Sequence, residues 1–170
     1  MALARLASRI DALTVLYRTL SAENAAPEID LGQYLSDIAT AVMQASAMPG
    51  IELKLEVGYC PLSINVAMPA GLLVNEMLTN ALKYAFVGRN GGQLKLICKQ
   101  EGGEVTAVVS DDGVGLGEGQ EWPSPRKLGA LILQTLKENA KNVKFNAVSL
   151  RGQGTWFTLV FDAAPISPPN

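Results

Sequence analysis

The feature that most constrains this chain is residues 72–86, which read Leu-Leu-Val-Asn-Glu-Met-Leu-Thr-Asn-Ala-Leu-Lys-Tyr-Ala-Phe. At about 100° per residue on a helix, Glu76, Thr79, Asn80 and Lys83 gather within roughly 100° of one another. Leu73, Val74, Met77, Leu78, Ala81, Leu82 and Tyr84 fill the opposite side. One side therefore belongs to a core. The other stacks a carboxylate, an amide and an amine one turn apart, where a single ligand can touch all three.

The flanking segments supply that core. Leu3, Leu6, Ile10, Leu13, Tyr17 and Leu20 recur at steps of three and four, the pattern of a helix packing in a bundle. Spacing alone leaves two readings open, a cap on the domain's own core or a piece of an intermolecular bundle. Residues 21–28, closed by Pro27, read as a linker. Asp30 stands at an N-cap position with Gln33 completing a capping box, ahead of the helical series Leu31, Tyr34, Leu35, Ile38 and Val42. That helix is expected to stop near Met48, before Pro49 and Gly50. Ile51, Leu53, Leu55 and Val57 then alternate with Glu52, Lys54 and Glu56, a strand with one solvated face. A short extended piece at 64–66 leads through Pro69 and Gly71 into the central helix.

Beyond it, Arg89-Asn90-Gly91-Gly92 is turn chemistry, and strands at 93–99 and 104–110 are joined by the Gly102-Gly103 hairpin signal. Residues 118–126, with Pro123 and Pro125, read as a mobile surface loop. A helix follows over 128–140, then strands at 143–150 and 155–161. The proline-rich end, 163–170, is expected to be disordered. No internal repeat is present at a fixed period. This tally predicts an α/β (α+β) two-layer sandwich, a mixed and mostly antiparallel sheet covered on one side by helices and preceded by bundle helices.

Composition narrows the function. At 170 residues there is room for one domain with a real core and an appended helical piece. A net charge of −2 gives no reason to expect nucleic acid or an anionic membrane as partner, so a bound anion must be held by local groups. Arg5, Arg9, Asp11 and Arg18 interrupt the apolar amino terminus, which is neither a signal peptide nor a membrane span. Cys60 and Cys98 are far apart in sequence and read as ordinary reduced thiols of a cytoplasmic protein. The chain has no histidine, which removes the commonest general base.

The glycine run at Gly113, Gly115 and Gly117 is a weak signal by itself, an ordinary turn being an equal alternative. It is neither a Rossmann fingerprint nor a P-loop. Its weight comes from Asp111 and Asp112 at the strand's end. A carboxylate there can accept a hydrogen bond from an exocyclic amine, and glycines let a flat base approach the backbone. With the central helix the set describes a nucleotide site. Asn80 offers an amide oxygen to Mg²⁺, Lys83 neutralises phosphate charge, and Glu76 can accept a proton.

Residues 75–84, Asn-Glu-Met-Leu-Thr-Asn-Ala-Leu-Lys-Tyr, resemble the N box of the GHKL ATPase superfamily. Asp111-Asp112-Gly113-Val114-Gly115 resembles its G1 box, Leu128-Gly129 the remnant of its G2 box, and Gly154-Thr155-Trp156-Phe157 its closing glycine-threonine strand. Order and spacing are similar to the ATP-binding catalytic domain of bacterial sensor histidine kinases, in the HWE-related class. The likeness covers roughly 51–161, and residues 9–35 resemble the end of that class's dimerisation and phosphotransfer region.

The resemblance implies a Bergerat-type ATP-binding fold over 49–162, a partial helical dimerisation and phosphotransfer region over 1–48, and a tail over 163–170. It implies ATP and Mg²⁺, with Asn80 on the metal, Glu76 as base, Lys83 facing the phosphates and Asp111 holding the adenine amine. Gly113 and Gly115 would shape the base pocket, Gly129 would start a helix whose amides face the phosphates, and Thr155 would support the adenine side. Residues 118–127 would form a lid. A response-regulator receiver domain and a homodimer through the amino-terminal helices are the implied partners, without nucleic acid or membrane contact. Lacking histidine, the chain is not a self-sufficient autokinase, and loss of the first bundle helix by truncation is the expected reason. There is no histidine in the N box and no later Trp-x-Glu. Lys127 and Glu138-Asn139-Ala140-Lys141 also depart from the pattern. Two alternatives stand beside the kinase, a degenerate adaptor of the same fold and an anti-sigma-type serine kinase.

Overall fold

The computed structural model describes residues 28–46, 48–117, 122 and 127–164. The amino-terminal heptad helix, the linker before Glu28, most of the 118–127 loop and the tail beyond 164 lie outside the described residues. In chain order the elements are β1 (Glu28–Asp30), α1 (Leu31–Ser46), β2 (Ile51–Val57), β3 (Pro61–Ser63) and α2 (Ile64–Asn80). A π-helical turn (Ala81–Ala85) follows, then β4 (Gly92–Glu101), β5 (Glu104–Asp111), α3 (Leu128–Asn139), β6 (Lys144–Leu150) and β7 (Gly154–Asp162).

Five strands form one mixed sheet in the order β2-β4-β5-β7-β6, while β1 and β3 pair separately as a small antiparallel ribbon. Among the described strands only the β2–β4 pair is parallel, and α2 makes its crossover. The β4–β5 hairpin turns through Gly102 and Gly103, both at positive φ (58° and 79°), as a tight two-residue turn requires. Along β5, Val105, Ala107, Val109 and Asp111 are buried and their neighbours less so. Pairing sets Phe157, Leu159 and Phe161 of β7 beside that row. The helices lie on this face, α1 packing on β2 and β4, and α2 on β5 and on both other helices. Among the described residues no helix is long and apolar enough to cross a membrane.

The mixed sheet and one-sided helical layer match the expected sandwich. Three local expectations are corrected. Residues 64–66 are not extended, since α2 begins at Ile64, where the Ser63 hydroxyl accepts the Asn65 amide at 3.2 Å. Pro69 is the sixth helical residue and forgoes the amide bond to the Asn65 carbonyl, so the helix runs through it at the loss of that bond, and Gly71 is there for packing. A Cβ on Gly71 would stand 2.1 Å from Cε1 of the fully buried Tyr34.

The capping box at α1 does not form. The Asp30 carboxylate accepts the amides of Gly32 (3.0 Å) and Cys60 (2.9 Å), joining α1 to the chain before β3. Gln33 instead donates to Asp37 at 2.9 Å. Tyr84, expected on the core side, is half exposed because the π-helical turn widens the spiral after Asn80. Cys60 and Cys98, distant in sequence, meet in the core with sulfurs 3.6 Å apart, and burial pushes both thiols up. They stay protonated and pack as small hydrophobes.

The side chains of β1, α1 and β3 share one core with the sheet. Asp30→Ala is expected to cost about 1–2 kcal/mol, because a cap and an inter-element bond vanish together. Gln33→Ala should change stability by less than about 0.5 kcal/mol. Urea denaturation of the two variants checks the contrast, and equal losses would restore the capping box.

Candidate nucleotide site

Three elements converge at one end of the sandwich. The first is the carboxyl end of β5. Asp111 occupies the last inward position of a row whose earlier members are Val105, Ala107 and Val109, and only 5% of it is exposed. Its Oδ1 accepts the Gly113 amide at 2.9 Å. Burial pushes its carboxyl above the ordinary range, the amides of Gly113 and Thr155 pull it down, Asp112 pushes it up, and Arg89 pulls it down. The net direction is upward, so the ionised group is held at a cost where an apolar residue would fit the core.

Asp112, its sequence neighbour, does different work. Its carboxylate accepts the Gln93 amide at 2.8 Å, tying the loop to the start of β4. Only Asp111 of the pair belongs to the inward row.

The second element is the end of the α2 helix and its π-helical extension. Glu76, Thr79 and Asn80 are part-exposed and Lys83 is exposed, while Leu73, Val74, Met77, Leu78, Ala81 and Leu82 are buried. The expected two-sided helix is therefore observed, apart from Tyr84. Lys83 Nζ rests 5.1 Å from the centre of the Tyr84 ring. The turn ends against the glycine loop, with the Val114 amide donating to the Ala85 carbonyl at 2.8 Å. A Cβ on Gly113 would lie 2.2 Å from that carbonyl oxygen, so only glycine admits the contact. Gly115 holds φ +83°, a left-handed conformation that glycine takes without strain.

The third element is the β6–β7 hairpin. Thr155, 4% exposed, pairs with Asp111 across the strands, and its Oγ1 is 3.1 Å from Ser149 Oγ. Ser149 Oγ accepts the Leu116 amide at 2.7 Å, and the Gly152 amide donates to the Val114 carbonyl at 3.0 Å. The residues after Asp111 are thus clasped from both sides.

Gly129 is buried as the second residue of α3, which begins without a side-chain cap at Lys127. Amides of an uncapped first turn suit an anion. Trp122 of the expected lid packs on Phe157 and Phe145, with ring centres 4.9 and 5.5 Å apart. No group of three or more His, Cys, Asp or Glu able to hold a metal occurs among the described residues.

Sequence reasoning missed Arg89 and Ser149. Arg89 was hidden in a turn signal. Ser149 had a legible mark, a hydroxyl on the inward row after Phe145 and Ala147, at the same end as Asp111.

Residues 65–165, more than half of the chain, match the family model described as histidine kinase-, DNA gyrase B-, and HSP90-like ATPase. The "Blue-light-activated histidine kinase 2" of Erythrobacter litoralis (strain HTCC2594) is 35% identical over 136 residues, covering 77% of this chain. The chain spans only 39% of that relative's length. The solved histidine kinase domain of the Erythrobacter litoralis EL346 blue-light activated histidine kinase superposes with TM-score 0.84 at 30% identity, over 94% of this chain and 75% of that one. A mycobacterial sensor histidine kinase, MprB, aligns with TM-score 0.59 at 18% identity over 82% of this chain and 99% of that one, a likeness of fold alone.

A carboxyl raised by burial contributes stability that is complete below its unfolded value and is lost as pH rises through the native one. Asp111→Asn keeps an oxygen for the Gly113 amide and removes the buried charge. It is expected to melt above the wild type at neutral pH and to converge on it as pH falls through the carboxylate range. Thermal melts across pH check this, and an Asn variant melting lower at neutral pH contradicts it.

Proposed function

The chain belongs to the histidine kinase-, DNA gyrase B-, and HSP90-like ATPase family, and from that premise we propose that residues 49–162 bind Mg-ATP and present its γ-phosphoryl group to a histidine. The acceptor lies on a helical segment outside this sequence, which contains no histidine. A receiver-domain aspartate of a response regulator then takes the phosphoryl group. Residues 1–48 are assigned to the helical dimerisation and phosphotransfer region, although their described part, β1 and α1, shares its core with the sheet, and the setting is cytoplasmic.

One observation carries this reading. A buried carboxylate, Asp111, stands at the end of a core row, and the glycine loop after it closes on the carbonyl of Ala85 at the end of the polar-faced helix. The amides of Gly113 and Thr155 offset only part of the cost of burial and the carboxyl stays raised, so an exocyclic amine would be a further donor for it. Asp111 accepts the adenine amine, and Gly113 and Gly115 leave the flat base free of side chains. Thr155, held by Ser149, supports the base side.

The phosphates run toward Glu76, Asn80 and Lys83 and toward the first turn of α3 at Gly129. Asn80 would offer a hard amide oxygen to Mg²⁺, an ion that takes most of its ligands from water and phosphate. When bound, that ion neutralises phosphate charge. Lys83 adds a second cation, and Glu76 is the group within the helix face able to accept a proton from the attacking nucleophile. Phosphoryl transfer asks mainly for positioning and charge neutralisation, which this set supplies.

Calorimetric titration of the wild type with a non-hydrolysable ATP analogue should show Mg²⁺-dependent binding. Asp111→Asn should weaken it by about 10- to 100-fold, the worth of a charge-assisted hydrogen bond. Asn80→Ala should leave residual binding that no longer responds to Mg²⁺. No binding by the wild type at millimolar nucleotide would refute the proposal and favour a degenerate adaptor.

A further inference from the structure

Arg89 lies outside every motif of the nucleotide site, in the turn after the π-helical segment, where its amide donates to the Phe86 carbonyl at 3.1 Å. Its side chain reaches two other parts of the chain. Nη1 donates to the carbonyl of Asp112, and Nη2 donates to the carbonyl of Gly152 at 3.4 Å. One guanidinium thus joins the end of the central helix, the start of the glycine loop and the β6–β7 turn.

We propose that Arg89 is the positioning residue for the base side of the site, locking the loop at 113–116 against the β6–β7 turn so that a purine ring meets the Asp111 carboxylate in one orientation. The inference rests on the nucleotide-binding reading above.

Three observations support the lock. The turn that Arg89 grips through Gly152 is also bound to the loop through the Gly152 amide and the Val114 carbonyl, so the two bonds brace the same junction. Both acceptors are backbone carbonyls, and a planar fork with donors in fixed directions can serve two of them at once. A lysine ammonium, a point charge on a flexible stem, holds such a pair poorly. Arg89 is exposed, so its bonds add nothing to the core, and its charge favours the ionised Asp111, the form that accepts from an amine.

The competing role for an exposed cation here is direct contact with phosphate. Arg89→Ala and Arg89→Lys in the full chain separate the two. In the absence of ligand, amide hydrogen exchange at Val114, Leu116 and Gly152 is read by NMR. Affinity is then measured for adenosine and for a non-hydrolysable ATP analogue, alongside the melting temperature. The lock predicts exchange at these amides roughly 10-fold faster in Arg89→Ala. It also predicts affinities for both ligands lowered by one common factor of about 10, a melting temperature close to wild type, and only partial recovery in Arg89→Lys.

Unchanged exchange overturns the proposal. A loss confined to the ATP analogue, with adenosine unaffected, assigns Arg89 to phosphate instead and also overturns it. A fall in melting temperature with unchanged affinities makes the residue merely structural. A wild type that binds neither ligand removes the nucleotide reading together with this one, whereas wild-type binding matched by Arg89→Ala removes this one alone.

Discussion

The site depends on the approach of one backbone to another, where the glycine loop after β5 meets the last turn of the central helix. Layers of helix and sheet pack with side chains between them. Here the spacing collapses to a direct hydrogen bond from Val114 to Ala85, and Gly113 is present because any Cβ would strike the Ala85 carbonyl. This pin ties the glycine loop after Asp111 to the turn that follows the polar-faced helix.

The second organising fact is electrostatic. Asp111 continues the inward row of Val105, Ala107 and Val109, so the sheet brings a carboxylate to a place shaped for an apolar side chain. Neighbouring amides and the Arg89 charge offset part of the desolvation, yet the carboxyl remains raised. The same balance accounts for the clasp around it. Ser149, Thr155, Gly152 and Arg89 hold by hydrogen bonds a loop too rich in glycine to hold itself.

Much of this was legible because it rests on local periodicity. The two-residue alternation of β5, the paired glycines at 102–103 and the three-and-four spacing of the central helix each specify an element from neighbours a few positions away. Where long-range packing overrode local propensity, the sequence misled. Pro69 and Gly71 look like breakers, yet Ser63 caps the helix ahead of them and Gly71 makes room for the Tyr34 ring. Gln33 has the spacing of a capping box, but Asp37 takes its amide while Cys60 adds a second donor to Asp30. Tyr84 was misplaced because the widening of the spiral after Asn80 has no signature in the residue pattern.

The chain by itself thus determined its layers, its one-sided central helix and the residue types at the candidate site, since these follow from side-chain polarity read at a fixed period. Only the tertiary structure decided which glycine must lack a Cβ and that Arg89 braces the loop against the β6–β7 turn. Those outcomes are set by strand register and by contacts between segments tens of residues apart. Such contacts form only after the core has fixed the elements against one another, and no local pattern records them.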